Sequence, residues 1–371
     1  MVKEYLINLG YSNEDTENIL NSYALKNLKE DTLLIHIKEN YNLLIFLGYS
    51  HEDIVKMTKS LPALYSYSIE NIKQKIDDLI SLGFSHEDVI KMTKILPSLY
   101  GCGIDNIKQK IDDLISLGYS HEDVIKMTRT SPALYSYSIE NIKQKIDNLI
   151  SLGYSHEDVI KMTKILPSLY DYDIDNIKQK IDDLVSLEYS HEDVIKMTKS
   201  LPALYSYSIE NIKQKIDDLI SLGYSHEDVI KMTKFFPSLY GLNIENIKQK
   251  IDDLISLGYG HEDVIKMTKT LPTLYGLNIE NINQKLTFLR EMHLDFIVVE
   301  DTKKLMQSID LTYARYVFFK EKGIEITKDN YRRLFYDAKR FEKQYGIDKS
   351  TLLEKYNYQE YVNSKNKDNS I

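Results

Sequence analysis

The sequence has very little cysteine, no tryptophan and no long apolar run. Cys102 is the only cysteine among 371 residues, so an intrachain disulfide and a zinc site built from several cysteines are both excluded. No segment approaches the roughly 18–20 consecutive apolar residues that span a bilayer. The first residues lack the patterns of a signal peptide and of an Arg-rich transit segment. We therefore expect a protein of the reducing cytoplasm that makes no membrane contact.

Proline is also scarce, and its few residues give the clearest pattern in the chain. Self-similarity at a fixed period of about 20–50 residues is typical of solenoid proteins, in which each repeat packs on its neighbours. We predict seven repeats over residues 47–291, a degenerate N-terminal capping repeat over residues 1–46, and over residues 292–371 a degenerate repeat, a helical C-terminal cap and a tail frayed from Asn363. The prolines recur every 35 residues, at Pro62, Pro97, Pro132, Pro167, Pro202, Pro237 and Pro272.

Each repeat contains the signals for two helices. In the first repeat Ser50 is a good N-cap with Asp53 three residues later, and Pro62 ends the first helix because proline disfavours helical geometry in the residue before it. The second helix begins after Ser68 and ends near Gly83, the residue type that best tolerates a left-handed C-terminal cap. We predict an all-α fold, a right- or left-handed α-solenoid of two-helix repeats about 35 residues long.

Composition and motifs argue against catalysis. The formal charge is −9, with 43% hydrophobic and 28% charged residues, which is ordinary for a chain that buries a core. The sequence contains no G-x-x-x-x-G-K-[ST], G-x-G-x-x-G or G-x-S-x-G motif. One histidine recurs at the start of the first helix of each repeat, but successive repeats are too far apart to share a zinc ion. We expect no enzyme activity, no cofactor and no metal site.

Two cationic side chains in each repeat lack a well-placed counter-charge on their own helix. Lys59 has no acidic residue four positions away, and Lys75 has only Asp78, at three positions. Repetition would place such side chains about 10 Å apart at helix-packing distances, a regular spacing suited to following a phosphate backbone. The alternative is that they only solubilise a polar face. The candidate rows are Lys59, Lys94, Arg129, Lys164, Lys199, Lys234 and Lys269 on the first helix, and Lys75, Lys110, Lys145, Lys180, Lys215, Lys250 and Lys285 on the second.

The C-terminal region carries a separate basic cluster, formed by Arg332, Arg333 and Arg340. Residues 286–371 hold 16 basic and 14 acidic side chains, whereas residues 1–285 hold 31 basic and 42 acidic side chains. Aromatic side chains alternate with the three arginines, and they either stack on nucleic-acid bases or form the core of the cap. These aromatic residues are Tyr331, Phe335, Tyr336 and Phe341.

The order of features within a repeat resembles that of the mitochondrial transcription termination factor (mTERF) family. LG[YF]S precedes the first helix, a proline follows about a dozen residues later, and an aromatic or leucine turn leads to the second helix. The likeness is strong over residues 47–291 and weaker over 9–46 and 292–346, where residues 315–324 are similar to the family's closing repeat. It implies paired helices with a short 3₁₀ turn, wound into a curved superhelix whose positive concave face binds double-stranded nucleic acid in transcription and its termination. The chain departs from the family at Tyr65 and its equivalents, where leucine is usual.

Two functions remain open from the sequence. The first is binding of double-stranded DNA, or of RNA, by a monomer that regulates transcription through phosphate contacts from the lysine rows and the C-terminal arginines. The second is a scaffold for a protein partner, for which the acidic balance and the 29 tyrosines are equally suitable. The loop before the second helix varies, as in Ser66-Tyr67-Ser68 and Gly101-Cys102-Gly103. It either contacts a ligand or only changes among residues that cap a helix well.

Overall fold

The computed structural model describes residues 1–368, with side chains described through Asn363. The secondary structure of this part is entirely helical, and residues 1–368 contain no β-strand, which confirms the predicted fold class. The chain forms two compact units, one ending at Asp182 and the other beginning at Asp183. Among residues 1–368, none of the helices has both the length and the apolar character that crossing a membrane requires.

Each of the seven repeats contains a first helix, called helix A, a short 3₁₀ segment that begins at the proline, and a second helix, called helix B. Helix A spans His51–Ser60, His86–Ile95, His121–Thr130, His156–Ile165, His191–Ser200, His226–Phe235 and His261–Thr270. The 3₁₀ segments are Pro62–Ser66, Pro97–Gly101, Pro132–Ser136, Pro167–Asp171, Pro202–Ser206, Pro237–Gly241 and Pro272–Gly276. Helix B spans Ile69–Ser81, Ile104–Ser116, Ile139–Ser151, Ile174–Val185, Ile209–Ser221, Ile244–Ser256 and Ile279–Glu291.

Irregular repeats flank the seven. The N-terminal segment has three helices, Val2–Asn8, Asn13–Leu20 and Glu30–Leu47. After the seventh repeat come the helices Phe296–Glu300, Ile309–Glu321, Ala338–Tyr345, Lys349–Lys355 and Tyr358–Asp368, with 3₁₀ segments at Thr302–Met306 and Tyr331–Phe335. The tail predicted to be frayed from Asn363 is helical through Asp368, and residues 369–371 lie outside the described part of the chain.

The capping signals set the ends of helix A. The Ser50 hydroxyl accepts from the Asp53 backbone N–H, and the Asp53 carboxylate accepts in return from the Ser50 backbone N–H at 3.0 Å. The pair satisfies two donors that the first turn would otherwise leave unpaired. At the other end Leu61 has φ −133° and ψ 77°, the extended geometry that a residue before proline adopts. Helix A is therefore confined to about three turns.

Helix B begins at a serine or asparagine N-cap in most repeats and ends at a left-handed residue. Ser68 accepts from the Asn71 backbone N–H, and Gly83 has φ +106°. Two residues other than glycine occupy the equivalent left-handed position, Glu188 at φ 73° and His293 at φ 55°. An L side chain in this region costs roughly 1–2 kcal/mol of backbone strain.

The apolar stripes of both helices are buried. Ile54 and Met57 of helix A and Ile72, Ile76 and Leu79 of helix B are each no more than 3% exposed. In the first unit, helix A contacts helix A of the next repeat and helix B contacts the next helix B. Within that unit the stripes thus form a core that continues from repeat to repeat, as in an α-solenoid.

A chain of three hydroxyl groups also joins consecutive repeats. The Tyr119 hydroxyl lies 2.5 Å from Thr163 Oγ1 and 2.6 Å from the Tyr170 hydroxyl of the next repeat. Thr163 Oγ1 donates to the Val159 carbonyl at 2.7 Å. Because the carbonyl only accepts, Tyr119 must donate to Thr163, and Tyr170 must donate to Tyr119. Each of the three buried hydroxyl groups therefore donates a hydrogen bond. The same chain joins Tyr11, Thr58 and Tyr65; Tyr49, Thr93 and Tyr100; Tyr189, Thr233 and Tyr240; and Tyr224, Thr268 and Tyr275.

Candidate functional site

The cationic side chains of the helix A row form ion pairs with the preceding repeat. This corrects the expectation that the row is poorly compensated. Lys94 Nζ lies 2.7 Å from the carboxylate of Asp53, the capping residue of helix A in the preceding repeat. Within each unit, one cation and one capping aspartate thus join neighbouring helices A. The other pairs are Lys59 with Asp15, Arg129 with Asp88, Lys164 with Asp123, Lys234 with Asp193 and Lys269 with Asp228, at 2.7–3.7 Å. Lys199 is not free either.

These ion pairs keep the capping aspartates ionised. A hydrogen bond from Lys164, together with the Ser120 cap, lowers the pKa of Asp123 from 3.8 to about 2, and Lys234 does the same for Asp193. The lysine side chains keep 32–41% of their surface exposed. A phosphate can reach them, but it must compete with a carboxylate that is already bound.

Within each unit, the lysine row on helix B ties a repeat to the next one, which also departs from the prediction of an uncompensated row. Lys75 is only 9% exposed, and its ammonium group donates to the Cys102 carbonyl in the following repeat. Lys250 donates to the Leu277 carbonyl at 2.7 Å, and desolvation by burial lowers the pKa of Lys215 and Lys285. Lys110, Lys145, Lys215 and Lys285 donate in the same way to Tyr137, Tyr172, Leu242 and Leu305, and Lys180 is not free. Because the ammonium group is half-buried against a carbonyl, this row stabilises the junction between repeats.

The C-terminal arginines differ from both rows. Arg332 and Arg340 are exposed and Arg333 is half-exposed, and none of them forms an ion pair within the described residues. The guanidinium carbon of Arg340 lies 3.8 Å from the centre of the Tyr336 ring. The ring covers one face of the guanidinium, which leaves its N–H donors pointing outward in the plane.

The aromatic side chains near these arginines divide between core and surface. Tyr331 and Phe341 are 7% and 2% exposed, so they belong to the cap core, while Phe335 and Tyr336 are half-buried. Arg315, on the preceding helix, is 2% exposed and donates to the Leu334 and Tyr336 carbonyls. This arginine holds the segment that carries the cluster in place. Its burial lowers its pKa to about 10.

The variable loop serves mainly to cap helix B. The side chain of its third residue, for example Ser68, Asn243 or Asn278, accepts a hydrogen bond from a backbone N–H in the first turn of helix B. Its middle tyrosine contacts the next loop, since the Tyr137 hydroxyl donates to Asp171 at 2.5 Å. Both contacts are structural, which fits the capping interpretation.

Sequence reasoning missed one set of polar residues, the amide rows of helix B. They consist of the asparagine at the third position of the helix and the glutamine three residues later, represented by Asn71 and Gln74 in the first repeat. Both side chains are exposed. The available signal was that both are present in all seven repeats.

The geometry defines the class of protein first: a tandem α-helical repeat protein whose junctions are built from tyrosine, threonine and lysine. The mTERF family model matches residues 2–141, 79–188, 105–256 and 184–326. These overlapping matches cover most of the chain, which therefore belongs to the mTERF family, whose members are nucleic-acid-binding repeat proteins of gene expression. No curated protein matches the chain.

Proposed function

We propose that the chain binds double-stranded DNA as a monomer and regulates transcription by occupying its target, without catalysis or a cofactor. The phosphate contacts come mainly from Arg332, Arg333 and Arg340. The observation that carries this proposal is that these cations reach solvent with no carboxylate partner in the described residues. Family membership supports the class of ligand.

The lysine rows are weaker candidates for phosphate contacts. A phosphate that binds Lys94 has to replace the carboxylate of Asp53, and one that binds Lys75 leaves the Cys102 carbonyl without its donor. An unpaired buried polar group costs roughly 1–3 kcal/mol. Residues 1–285 also carry 42 acidic against 31 basic side chains, so DNA meets net repulsion along the repeats.

Arginine suits this role for a geometric reason. Its guanidinium group has five N–H donors in a planar fork that matches two phosphate oxygens, and it stays charged at all physiological pH values. Arg340 is already held against Tyr336, so binding costs it less side-chain entropy than a free arginine would lose.

The test is fluorescence anisotropy with labelled double-stranded DNA, single-stranded DNA and RNA over a salt series. Each phosphate contact contributes about 0.9 to the slope of log affinity against log salt on duplex DNA. The variant Arg332→Gln, Arg333→Gln, Arg340→Gln should therefore lower the slope by about 2–3. The matched control is Lys91→Gln, which removes an exposed lysine that pairs only with Glu87 on its own helix.

The outcomes separate the parts of the proposal. An unchanged slope in the triple variant would show that the three arginines do not contact phosphate. Tighter binding of RNA than of double-stranded DNA would show that RNA is the ligand. Failure of the wild-type chain to bind any of the three probes at low salt would refute nucleic-acid binding altogether.

A further inference from the structure

A cavity lies where the seventh repeat meets the C-terminal cap. It measures about 630 Å³, within the roughly 300–1,000 Å³ that is typical of small-molecule sites. Its walls come from residues just after helix B of the seventh repeat, from the helix Ile309–Glu321 and from residues 323–328. All of these elements belong to the second unit. None of the three arginines proposed to contact DNA lines the cavity, so it is a separate candidate site.

One wall residue, His293, has a strained backbone that no contact of its side chain explains. Its φ is 55°, at the position where most repeats have a left-handed glycine such as Gly83. The other L residue at this position, Glu188, lies 3.4 Å from His226. The His293 side chain forms no hydrogen bond or ion pair within the described residues, and it lines the cavity. Residues held in such conformations cluster at sites that bind ligands.

Two side chains of opposite charge line the cavity without pairing with each other. Lys320 and Glu325 are both exposed, and neither forms an ion pair within the described residues. Glu321, the acidic neighbour of Lys320, is bound by Lys355 at 3.0 Å and by the Tyr356 hydroxyl at 2.5 Å. Lys320 and Glu325 therefore each keep a charge that a ligand can meet.

The other polar side chains of the cavity add hydrogen-bonding groups but no further free charge. Lys328 also lines the cavity, and its ammonium group is paired with Glu300 at 2.9 Å. The hydroxyl groups of Tyr316 and Thr327 form no hydrogen bond within the described residues, so both can donate to a ligand. The free charges are thus balanced, one positive and one negative, which favours a zwitterion over a simple anion such as phosphate.

The remaining wall of the cavity is apolar. It is formed by Met292, Phe296, Ile324 and Ile326, which are all half-buried. A ligand that covers these side chains removes apolar surface from water, which contributes favourably to binding. The cavity therefore combines two separate charges with an apolar surface.

We propose that this cavity binds a free α-amino acid with a large apolar side chain, a function beyond the proposed binding of DNA. The carboxylate of the amino acid pairs with Lys320 and accepts a hydrogen bond from the Tyr316 hydroxyl. Its ammonium group pairs with Glu325, and its side chain packs against the apolar wall that includes Phe296. His293 completes the polar wall with its imidazole. Charge-assisted hydrogen bonds are roughly twice as strong as neutral ones, so both charges of the ligand are needed.

The test is isothermal titration calorimetry of the full chain with L-phenylalanine and L-leucine. Three analogues of the first probe each lack one feature. N-acetyl-L-phenylalanine has no ammonium group, L-phenylalaninamide has no carboxylate, and glycine has no apolar side chain. We expect saturable binding of at least one of the two amino acids. Each analogue should bind roughly tenfold or more weakly than L-phenylalanine, because a charged partner in the cavity is left unpaired or apolar contact is lost.

Three variants test the residues. Lys320→Gln and Glu325→Gln should each weaken amino-acid binding roughly tenfold or more, and Lys320→Gln should have little effect on L-phenylalaninamide. His293→Gly should weaken binding and at the same time raise the melting temperature, because it removes the imidazole together with the strain of an L residue. The matched control is Lys248→Gln, which removes an exposed lysine that pairs with Glu245 in the same unit and should change neither property.

Three results would overturn the proposal. Failure of both amino acids to bind at millimolar concentration would show that the cavity is not an amino-acid site. Equal affinity for L-phenylalanine and its N-acetyl derivative would show that it recognises a carboxylate alone. Binding that is unchanged in both charge variants would place the amino acid elsewhere on the chain. The DNA experiment is independent, since its arginine variants leave every residue that lines the cavity intact.

Discussion

Phe84→Tyr tests the hydroxyl chain between repeats, because the second repeat has phenylalanine where the others have tyrosine. At this junction the Tyr135 hydroxyl donates directly to Thr128 Oγ1 at 3.2 Å. Phe84 is 2% exposed and occupies the place of Tyr119 in the next junction. A hydroxyl added to its ring should lie between the threonine and the tyrosine, as it does at the neighbouring junctions.

The expected gain follows from counting bonds. The new hydroxyl forms two short hydrogen bonds and replaces one long one, so the junction gains one net bond. A net intramolecular hydrogen bond contributes about 0.5–1.5 kcal/mol. For a cooperative unit of this size, a gain of about 1 kcal/mol raises the midpoint of thermal unfolding by about 2–4 °C.

The assay is urea unfolding followed by far-ultraviolet circular dichroism, with Tyr119→Phe as the mirror variant. That change removes the central hydroxyl and leaves Thr163 and Tyr170 to bond directly, as Thr128 and Tyr135 do. It should therefore lose about what Phe84→Tyr gains, roughly 1 kcal/mol. A Phe84→Tyr protein no more stable than wild type, with Tyr119→Phe also neutral, would show that the hydroxyl chain adds nothing to the packing.

Two further perturbations concern the backbone and the ion pairs. Glu188→Gly should raise the free energy of unfolding by about 1 kcal/mol, because it removes the strain of an L residue in the left-handed conformation. Gly223→Glu should lower it by a similar amount, since the added Cβ meets His261 at an ordinary 3.5 Å and only the backbone is strained. Equal melting temperatures for wild type and both variants would contradict this reasoning. Acid should destabilise the array, since the pKa of Asp123 is depressed from 3.8 to about 2 by Lys164. The stabilisation by this pair is complete above about pH 4 and is lost as the pH falls through 2. Urea midpoints measured over this range should fall less in Lys164→Gln, and an identical fall would show that the pair is not responsible.

The sequence was sufficient to predict the elements of each repeat. A serine cap, an aspartate three residues later, a proline and a left-handed glycine each act through neighbouring residues, so Ser50, Asp53, Pro62 and Gly83 mark the helix ends correctly. The hydroxyl chain could not be predicted in this way. Its members are 44 and 51 residues apart, and they meet only because adjacent repeats stack in one register.

The lysine rows show where local reasoning fails. Lys59 has no counter-charge on its own helix. Its partner is Asp15, the capping residue of the preceding repeat. Within each unit, stacking brings the capping aspartate of the preceding repeat to such a cation. A search for acidic residues one repeat earlier would have found the pairing, because an array offers each side chain the same neighbours every period.

Repetition also explains why the proposed DNA contacts lie outside the junctions between repeats. A cation present in every repeat meets an equivalent acceptor in the neighbouring repeat of its unit, and both lysine rows are bound in that way within each unit. Beyond the repeats, Arg332, Arg333 and Arg340 form no ion pair within the described residues and add positive charge to the C-terminal cap. Within the repeats, by contrast, the asparagine amides are polar, exposed and unbonded in the described chain. The cationic surface at the C-terminal end therefore differs in chemistry from the uncharged amide side chains along helix B.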